Sequence, residues 1–272
     1  MGASSLLRAS LVQHLERRED PGIAEQLALL AGDQPLRASG LRSCGRRQTY
    51  LAKGTQRSTP AFENLIQMVQ GDWGEVGMKK LIINSGWTIR DEQRELSYHE
   101  GGVEVLRGHI DGIVYFDSGL LPSEHFLWEN KLMSAFRYRK LSQAGSIGVE
   151  TPEYYDQVQI YMGLLRAAGE DISKTMFTAV AKDPSAVNTG FGSKGKPRLD
   201  PLFIEEVDFD QKRFDGLLYR ASDIHSVIRQ EGLYPRERVP GKDWDCSARF
   251  CPFFATCDPE AHVIKTARRK AA

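Results

Sequence analysis

The order of periodic segments in this 272-residue chain predicts an α/β or α+β fold. Three observations carry that expectation. Apolar runs at 103–116 and 124–132 read as strands, residues 152–168 read as a helix, and TMFTAVAKD (175–183) with LFIEEVDFD (202–210) read as two further strands.

The remaining elements follow in chain order. Residues 4–18 and 22–31 read as amphipathic helices, with Leu6, Leu7, Leu11 and Leu15 near helical spacing in the first. A basic stretch, LRASGLRSCGRRQTY, comes next. The pattern over 61–84 is helical but interrupted by Gly71, Gly74 and Gly77. Each glycine costs a helix about 1 kcal/mol against alanine, so three of them imply close backbone packing or a break. PSAVNTGFGSKGKPRLDP (184–201) reads as a surface loop, and 210–231 as a helix with Phe214, Leu217, Leu218, Ala221, Ile224 and Ile228 on one face.

Charge narrows the class of partner very little. Lys plus Arg number 36 and Asp plus Glu also 36, so any basic surface is local. No apolar run approaches the ~18 residues of a membrane span, and MGASSLLRASLVQHLERRED carries charge too early for a signal peptide. A soluble, cytoplasmic protein is expected. In a reducing compartment its four cysteines suit metal ligation or burial better than disulfides.

The stretch LRGHIDGIVYFDSGLLPSEHFLWENKL (106–132) poses the chemical question. Asp111 and Glu129 are equidistant from residue 120, so an antiparallel hairpin pivoting there sets the two acids opposite each other. Like charges so placed repel unless something compensates, and a divalent cation would. Period-2 alternation puts Lys131 beside Glu129, with Trp128, Asn130 and Leu132 on the other face. Two acids and an amine suit metal-dependent phosphodiester hydrolysis. A surface hairpin that protects a sheet edge with charge is the plainer reading of the same spacing.

GHIDG, an apolar strand and then WENK resemble the PD-(D/E)xK nuclease superfamily, in particular its RecB-like branch of CRISPR-associated and phage exonucleases. The resemblance implies a restriction-endonuclease-like α/β core: a mixed central sheet flanked by helices, with a helical N-terminus and a cysteine-ligated C-terminal appendage. The corresponding divisions are 1–36, a nuclease core at 37–240, and 241–272 with the cysteines and a basic tail. By the resemblance, Asp111, Glu129 and the carbonyl of Asn130 would hold Mg²⁺ or Mn²⁺, and Lys131 would be the catalytic lysine. YYDQVQIYMGLL resembles the branch's QxxxY signature, which assigns Gln157 and Tyr161 to positioning DNA. GDWGEVGMKKL resembles the helix that adds one more ligand, with Glu75 the candidate and Asp72 its rival.

Cys246, Cys251 and Cys257 cluster in DWDCSARFCPFFATC, while Cys44 lies far upstream. Four thiolates suit zinc or an iron–sulfur cluster. A subset of the RecB-like branch has this layout around a 4Fe-4S cluster, although four residues here separate Cys246 from Cys251 where that subset has two. For contacts with DNA the candidates are Arg137, Arg139 and Lys140 after the catalytic strand, then Arg42, Arg46 and Arg47, and Lys194, Lys196 and Arg198. Phe136, Tyr138 and Phe191 are available to stack on bases. The resemblance implies a metal-dependent deoxyribonuclease, an exonuclease on DNA ends with single strands preferred, leaving 5′-phosphates in recombination, repair, phage replication or spacer acquisition. The alternatives are an inactive DNA-binding or assembly module and a zinc-stabilised structural protein.

Overall fold

The structure is a computed structural model that describes residues 34–58, 62–117, 124–188, 199–240 and 242–257. The expected helices at 4–18 and 22–31, the hairpin tip at 120, the loop residues Phe191, Lys194, Lys196 and Arg198, and the basic tail lie outside these residues. The chain divides into two compact units. One comprises Leu36–Arg42 with Met68–Asp223; the other contains Ser43–Gln67 and the chain from Ile224 onward.

The first unit holds two mixed sheets. A short three-stranded sheet has β1 (Leu36–Arg37) parallel to β4 (Val103–His109), which pairs antiparallel with β3 (Glu95–Glu100). The main sheet runs β2 (Thr88–Arg90), β5 (Gly112–Tyr115), β6 (His125–Met133), β7 (Lys174–Ala181), β8 (Leu202–Asp208). Only β6 and β7 are parallel in it. That pairing requires a crossover, supplied by α3 (Ala135–Ala144), α4 (Ile147–Glu150) and α5 (Pro152–Ala167).

The continuous run 103–116 is therefore two strands, one in each sheet, which corrects the single strand expected from its composition. The change falls at Ile110 and Asp111, between β4 and β5. Strands β2 and β3 also went unread, because TIR and ELSYHE are short and largely exposed. Helix α3 was missed despite its local signals. Ser134 accepts a hydrogen bond from the Arg137 N–H as N-cap, and Gly145 closes the helix at φ +72°. In the expected loop, Pro184–Asn188 forms the short helix α6.

Helix α2 (Phe62–Asn84) continues through all three of its glycines. From this helix, Met78 joins Val114, Phe126 and Trp128 in a core cluster on one sheet face, backed by Ile82, Trp87, Ile89, Met176 and Val180. Close packing explains Gly74 alone, since a Cβ there would lie 3.0–3.2 Å from the Leu132 side chain. Gly71 and Gly77 would meet nothing within 4 Å. Helix α5 packs on the other face and approaches α7 (Gln211–Arg229) at Gly163, where a Cβ would run into the Phe214 ring.

In the second unit, α1 (Gly45–Ala52) begins directly after Cys44. The Gly45 N–H donates to Glu237 and Arg46 donates to the Tyr234 carbonyl. Tyr50 packs against Phe253 at 5.2 Å, just before α8 (Phe254–Cys257). Among the described residues no helix is long and apolar enough to cross a membrane.

Candidate active site

The β5–β6 register pairs Gly112 with Trp128 and Tyr115 with His125, the pivot that residues 111 and 129 require. Asp111 sits one residue before β5, where the chain passes between sheets, and its Oδ2 accepts the Asn130 N–H at 2.7 Å. The Asn130 side chain points the other way and accepts from Thr178 Oγ1, the same hydroxyl that takes the Trp128 indole N–H. Alternation along β6 thus sends 128 and 130 into packing and 129 and 131 toward one site.

Glu129 is fully buried. Its Oε1 accepts from Lys131 Nζ and, at 2.9 Å, from Gln157 Nε2, while its Oε2 has no hydrogen-bond partner. A buried carboxylate oxygen left unpaired is costly, and in native proteins such groups mark strain, function or a bound ion. Gln157 also donates to the Tyr161 hydroxyl oxygen at 3.2 Å. Tyr161 is 2% exposed and occupies the space that a Cβ at Gly108 would need, 2.5 Å from its ring. Gln157 and Tyr161 were expected to touch DNA; both are buried, and their bonds go to Glu129 and to each other.

Electrostatics bind the group together. Burial first, then the Glu129 charge, push the Asp111 carboxyl well above the usual carboxylate range. Burial raises Glu129 as well, against the pull of Lys131. Burial disfavours the Lys131 ammonium, but the Glu129 and Asp111 carboxylates more than offset it and push the pKa above the normal lysine value. Glu75 on α2 adds repulsion at both acids. It is held by Lys79 at 2.8 Å and by Gln93 at 2.9 Å. Gln93, which sequence reasoning missed, sits at φ +54° in the turn before β3, a left-handed conformation that leaves no periodic signature.

The cations of α3 are already engaged. Arg137 pairs with Glu153 and lies over the Tyr154 ring; Lys140 lies 3.8 Å from Glu150 and over the Phe136 ring; Arg139 donates to the Ala186 carbonyl. Phe136 is exposed, whereas Tyr138 is buried with its hydroxyl donating to the Asp200 carbonyl and presents no ring for stacking. Arg42 is committed to the buried Asp156 at 2.8 Å.

In the other unit, Cys44, Cys246, Cys251 and Cys257 line one cavity, together with Arg47, Arg236 and the rings of Tyr50, Phe253 and Phe254. All four are free thiols. Burial and the neighbouring thiols push Cys246 up to about 11 and raise Cys251. The buried Arg47 Nε has no partner. Among the described residues no three His, Cys, Asp or Glu side chains are gathered as ligands of a single ion.

No protein-family model matches this sequence, and no curated protein matches it. Solved structures are similar at low identity. LHK-Exo, an alkaline exonuclease from Laribacter hongkongensis, has a TM-score of 0.48 and 16% identity over 72% of this chain and 89% of its own. A phage-related exonuclease from Haemophilus somnus 129PT has a TM-score of 0.39 at 12% identity, covering 73% and 95%. SSO0001 aligns over 94% of this chain and 97% of its own, with a TM-score of 0.52 and 14% identity. The chain thus has the expected α/β fold, with mixed sheets flanked by helices, and shares it with SSO0001.

Proposed function

We propose that this protein is a divalent-metal-dependent deoxyribonuclease acting on DNA ends. One observation carries the reading: two mutually repelling buried carboxylates, Asp111 and Glu129, held beside the Lys131 ammonium, with Glu129 Oε2 unpartnered. One acid suffices to pair the ammonium; a second buried acid beside it supplies the further oxygen donors that a cation site needs. Asp111, Glu129, Glu75 and the Asn130 carbonyl would hold Mg²⁺ or Mn²⁺, which supplies the charge that polarises a phosphate and acidifies a water. Lys131 and Gln157 both bond Oε1 and so fix the Glu129 carboxylate with Oε2 left for that purpose. Once Glu129 is shared with a cation, the ammonium is the donor that orients the attacking water or steadies charge on the phosphate. Hydrolysis at this centre leaves a 5′-phosphate. Exonucleolytic trimming, with single strands preferred, is the reading in keeping with the RecB-like resemblance.

The cysteine cavity is read as the seat of a 4Fe-4S cluster. Four cysteines lining one cavity are the ligand set of a polynuclear cluster, which the RecB-like resemblance favours over zinc, and Arg47 and Arg236 in the same lining would oppose its negative charge. Its role is structural, tying Cys44 to the 246–257 segment.

The test is cleavage of end-labelled single- and double-stranded oligonucleotides with Mn²⁺ or Mg²⁺ by wild type and Lys131→Ala. Metal-dependent cleavage by wild type alone is expected; full activity in the variant refutes the site. Binding that persists in EDTA, with no cleavage in any divalent ion, makes the protein a binding module. Iron analysis and the visible spectrum of anaerobically purified protein decide the cluster, which zinc in colourless protein would exclude.

A further inference from the structure

Helix α5 brings one more side chain to the site, and its contacts differ from those of Gln157 and Tyr161. Tyr154, Gln157 and Tyr161 are spaced i, i+3 and i+7, so they form one row along the helix. Gln157 bonds Glu129 and Tyr161 bonds Gln157. Tyr154 meets the other member of the catalytic pair: Lys131 Nζ lies over its ring, 5.4 Å from the centroid. The ring is itself anchored, stacked at 5.9 Å and 29° on Phe177. Phe177 is fully buried and is the β7 register partner of Glu129. The residue that fixes the tyrosine therefore belongs to the same rung of the sheet as the carboxylate that binds the lysine. Arg137 approaches the same ring at 4.8 Å and is neutralised by Glu153, the residue preceding Tyr154.

We infer that Tyr154 is a positioning residue for Lys131, its ring holding the ammonium against Glu129 and Asp111 and shielding it from solvent. This rests on the nuclease reading of the site. Lysine has four rotatable side-chain bonds and loses orientation readily, and an ammonium over an aromatic face gains attraction without a competing hydrogen bond. The inference assigns the effect to the ring, so removing the hydroxyl alone should preserve it.

The experiment compares wild type, Tyr154→Phe, Tyr154→Leu, Lys131→Ala and the Lys131→Ala/Tyr154→Leu double variant. Steady-state cleavage is measured with Mn²⁺, and Lys131 acylation by an amine-reactive reagent is followed by peptide mapping. Tyr154→Phe is expected within about threefold of wild type, while Tyr154→Leu loses about 10- to 100-fold in kcat with little change in KM, the scale of a misplaced catalytic group. In the Lys131→Ala background Tyr154→Leu adds under about threefold, because the tyrosine acts through the lysine. Acylation of Lys131 rises in Tyr154→Leu and not in Tyr154→Phe, with the other lysines as the control for folding. Should leucine destabilise the helix, Tyr154→Met carries the same comparison. An equal kcat loss with and without Lys131, or unchanged Lys131 acylation, overturns the inference. Absence of cleavage by wild type overturns the nuclease reading alone, because the acylation measurement does not depend on activity.

Discussion

Asp111 and Glu129 are two buried acids held with a single ammonium; Cys44, Cys246, Cys251 and Cys257 are four thiols around a cavity in the other unit. The first cluster is strained against itself, since burial lifts both carboxyls and the Glu129 charge adds to the rise at Asp111. In the second, burial favours the thiol form of Cys246 and Cys251. A ligand therefore acts differently on each. At the carboxylates a cation relieves an existing repulsion, whereas at the cysteines a metal must first displace protons and then ties distant parts of the chain together. On the proposed reading the acids trade stability for chemistry, and the thiols would supply stability once loaded.

The largest expected effect tests the first half of that contrast. Asp111→Asn keeps the acceptor for the Asn130 N–H but removes the repelling charge. Cleavage should fall on the order of 10³-fold, as when a group that stabilises developing charge is lost. Stability of the metal-free protein should move the opposite way, gaining roughly 1–2 kcal/mol at neutral pH. The sign follows from linkage. The folded Asp111 carboxyl keeps its proton to higher pH than the unfolded one, so wild-type stability falls as pH rises from the usual carboxylate range through the raised folded value. The advantage of Asp111→Asn should grow over that interval in thermal melts recorded in EDTA. A variant that is less stable than wild type at neutral pH would mean the repulsion is not there.

Cys251→Ser tests the second half. Loss of one ligand should abolish bound iron and lower stability by about 3 kcal/mol, the scale of a cross-link closing a long loop. Melting of the iron-loaded wild type and the variant reads it directly. An unchanged melting temperature would leave the cavity without a stabilising role. Metal removal sharpens the comparison further: EDTA should end cleavage and leave the iron in place.

What the sequence disclosed about the two clusters follows the same division. The register of the β5–β6 hairpin was legible because a short connection and a period of two leave only one pairing that sets residues 111 and 129 opposite each other. The departure of β4 into another sheet was not, because the apolar run continues on both sides of residues 108–112 and only tertiary pairing assigns its two halves to different sheets. Glu75 and Asp72 lie one turn apart and look alike in sequence, so nothing in the sequence ranks one above the other. Tyr154 carried no signal of its own, since nothing local reveals that Lys131 stands over it. The cysteines were legible by count and clustering, while Arg47 and Arg236, which share their cavity, carried no spacing signal.

A third substitution probes how rigidly the carboxylate site is backed. A methyl group at Gly108 would fall 2.5 Å from Tyr161 Cε1 and 3.0 Å from Ala38 Cβ. Tyr161 is too buried to move freely, so Gly108→Ala should cost about 2 kcal/mol, as overpacking does. Displacement of Tyr161 should reach Glu129 through Gln157 and reduce cleavage, with iron content unchanged.

The smallest effect separates stability from both clusters. Helix α2 carries Gly74 against Leu132 but Gly77 in open space, and neither has a positive φ. Alanine at 77 restricts the unfolded chain and introduces no contact within 4 Å, so Gly77→Ala should stabilise the protein by about 0.5–1 kcal/mol. Gly74→Ala on the same helix has the same intrinsic gain but presses a methyl to 3.0–3.2 Å from the Leu132 side chain, and its net sign should be destabilising. Denaturant melts of the pair measure propensity against packing within one element. Because Leu132 adjoins Lys131, Gly74→Ala should also disturb cleavage, whereas Gly77→Ala should raise the melting temperature with neither cleavage nor iron content altered. If both alanines stabilised equally, α2 would not be packed tightly on β6.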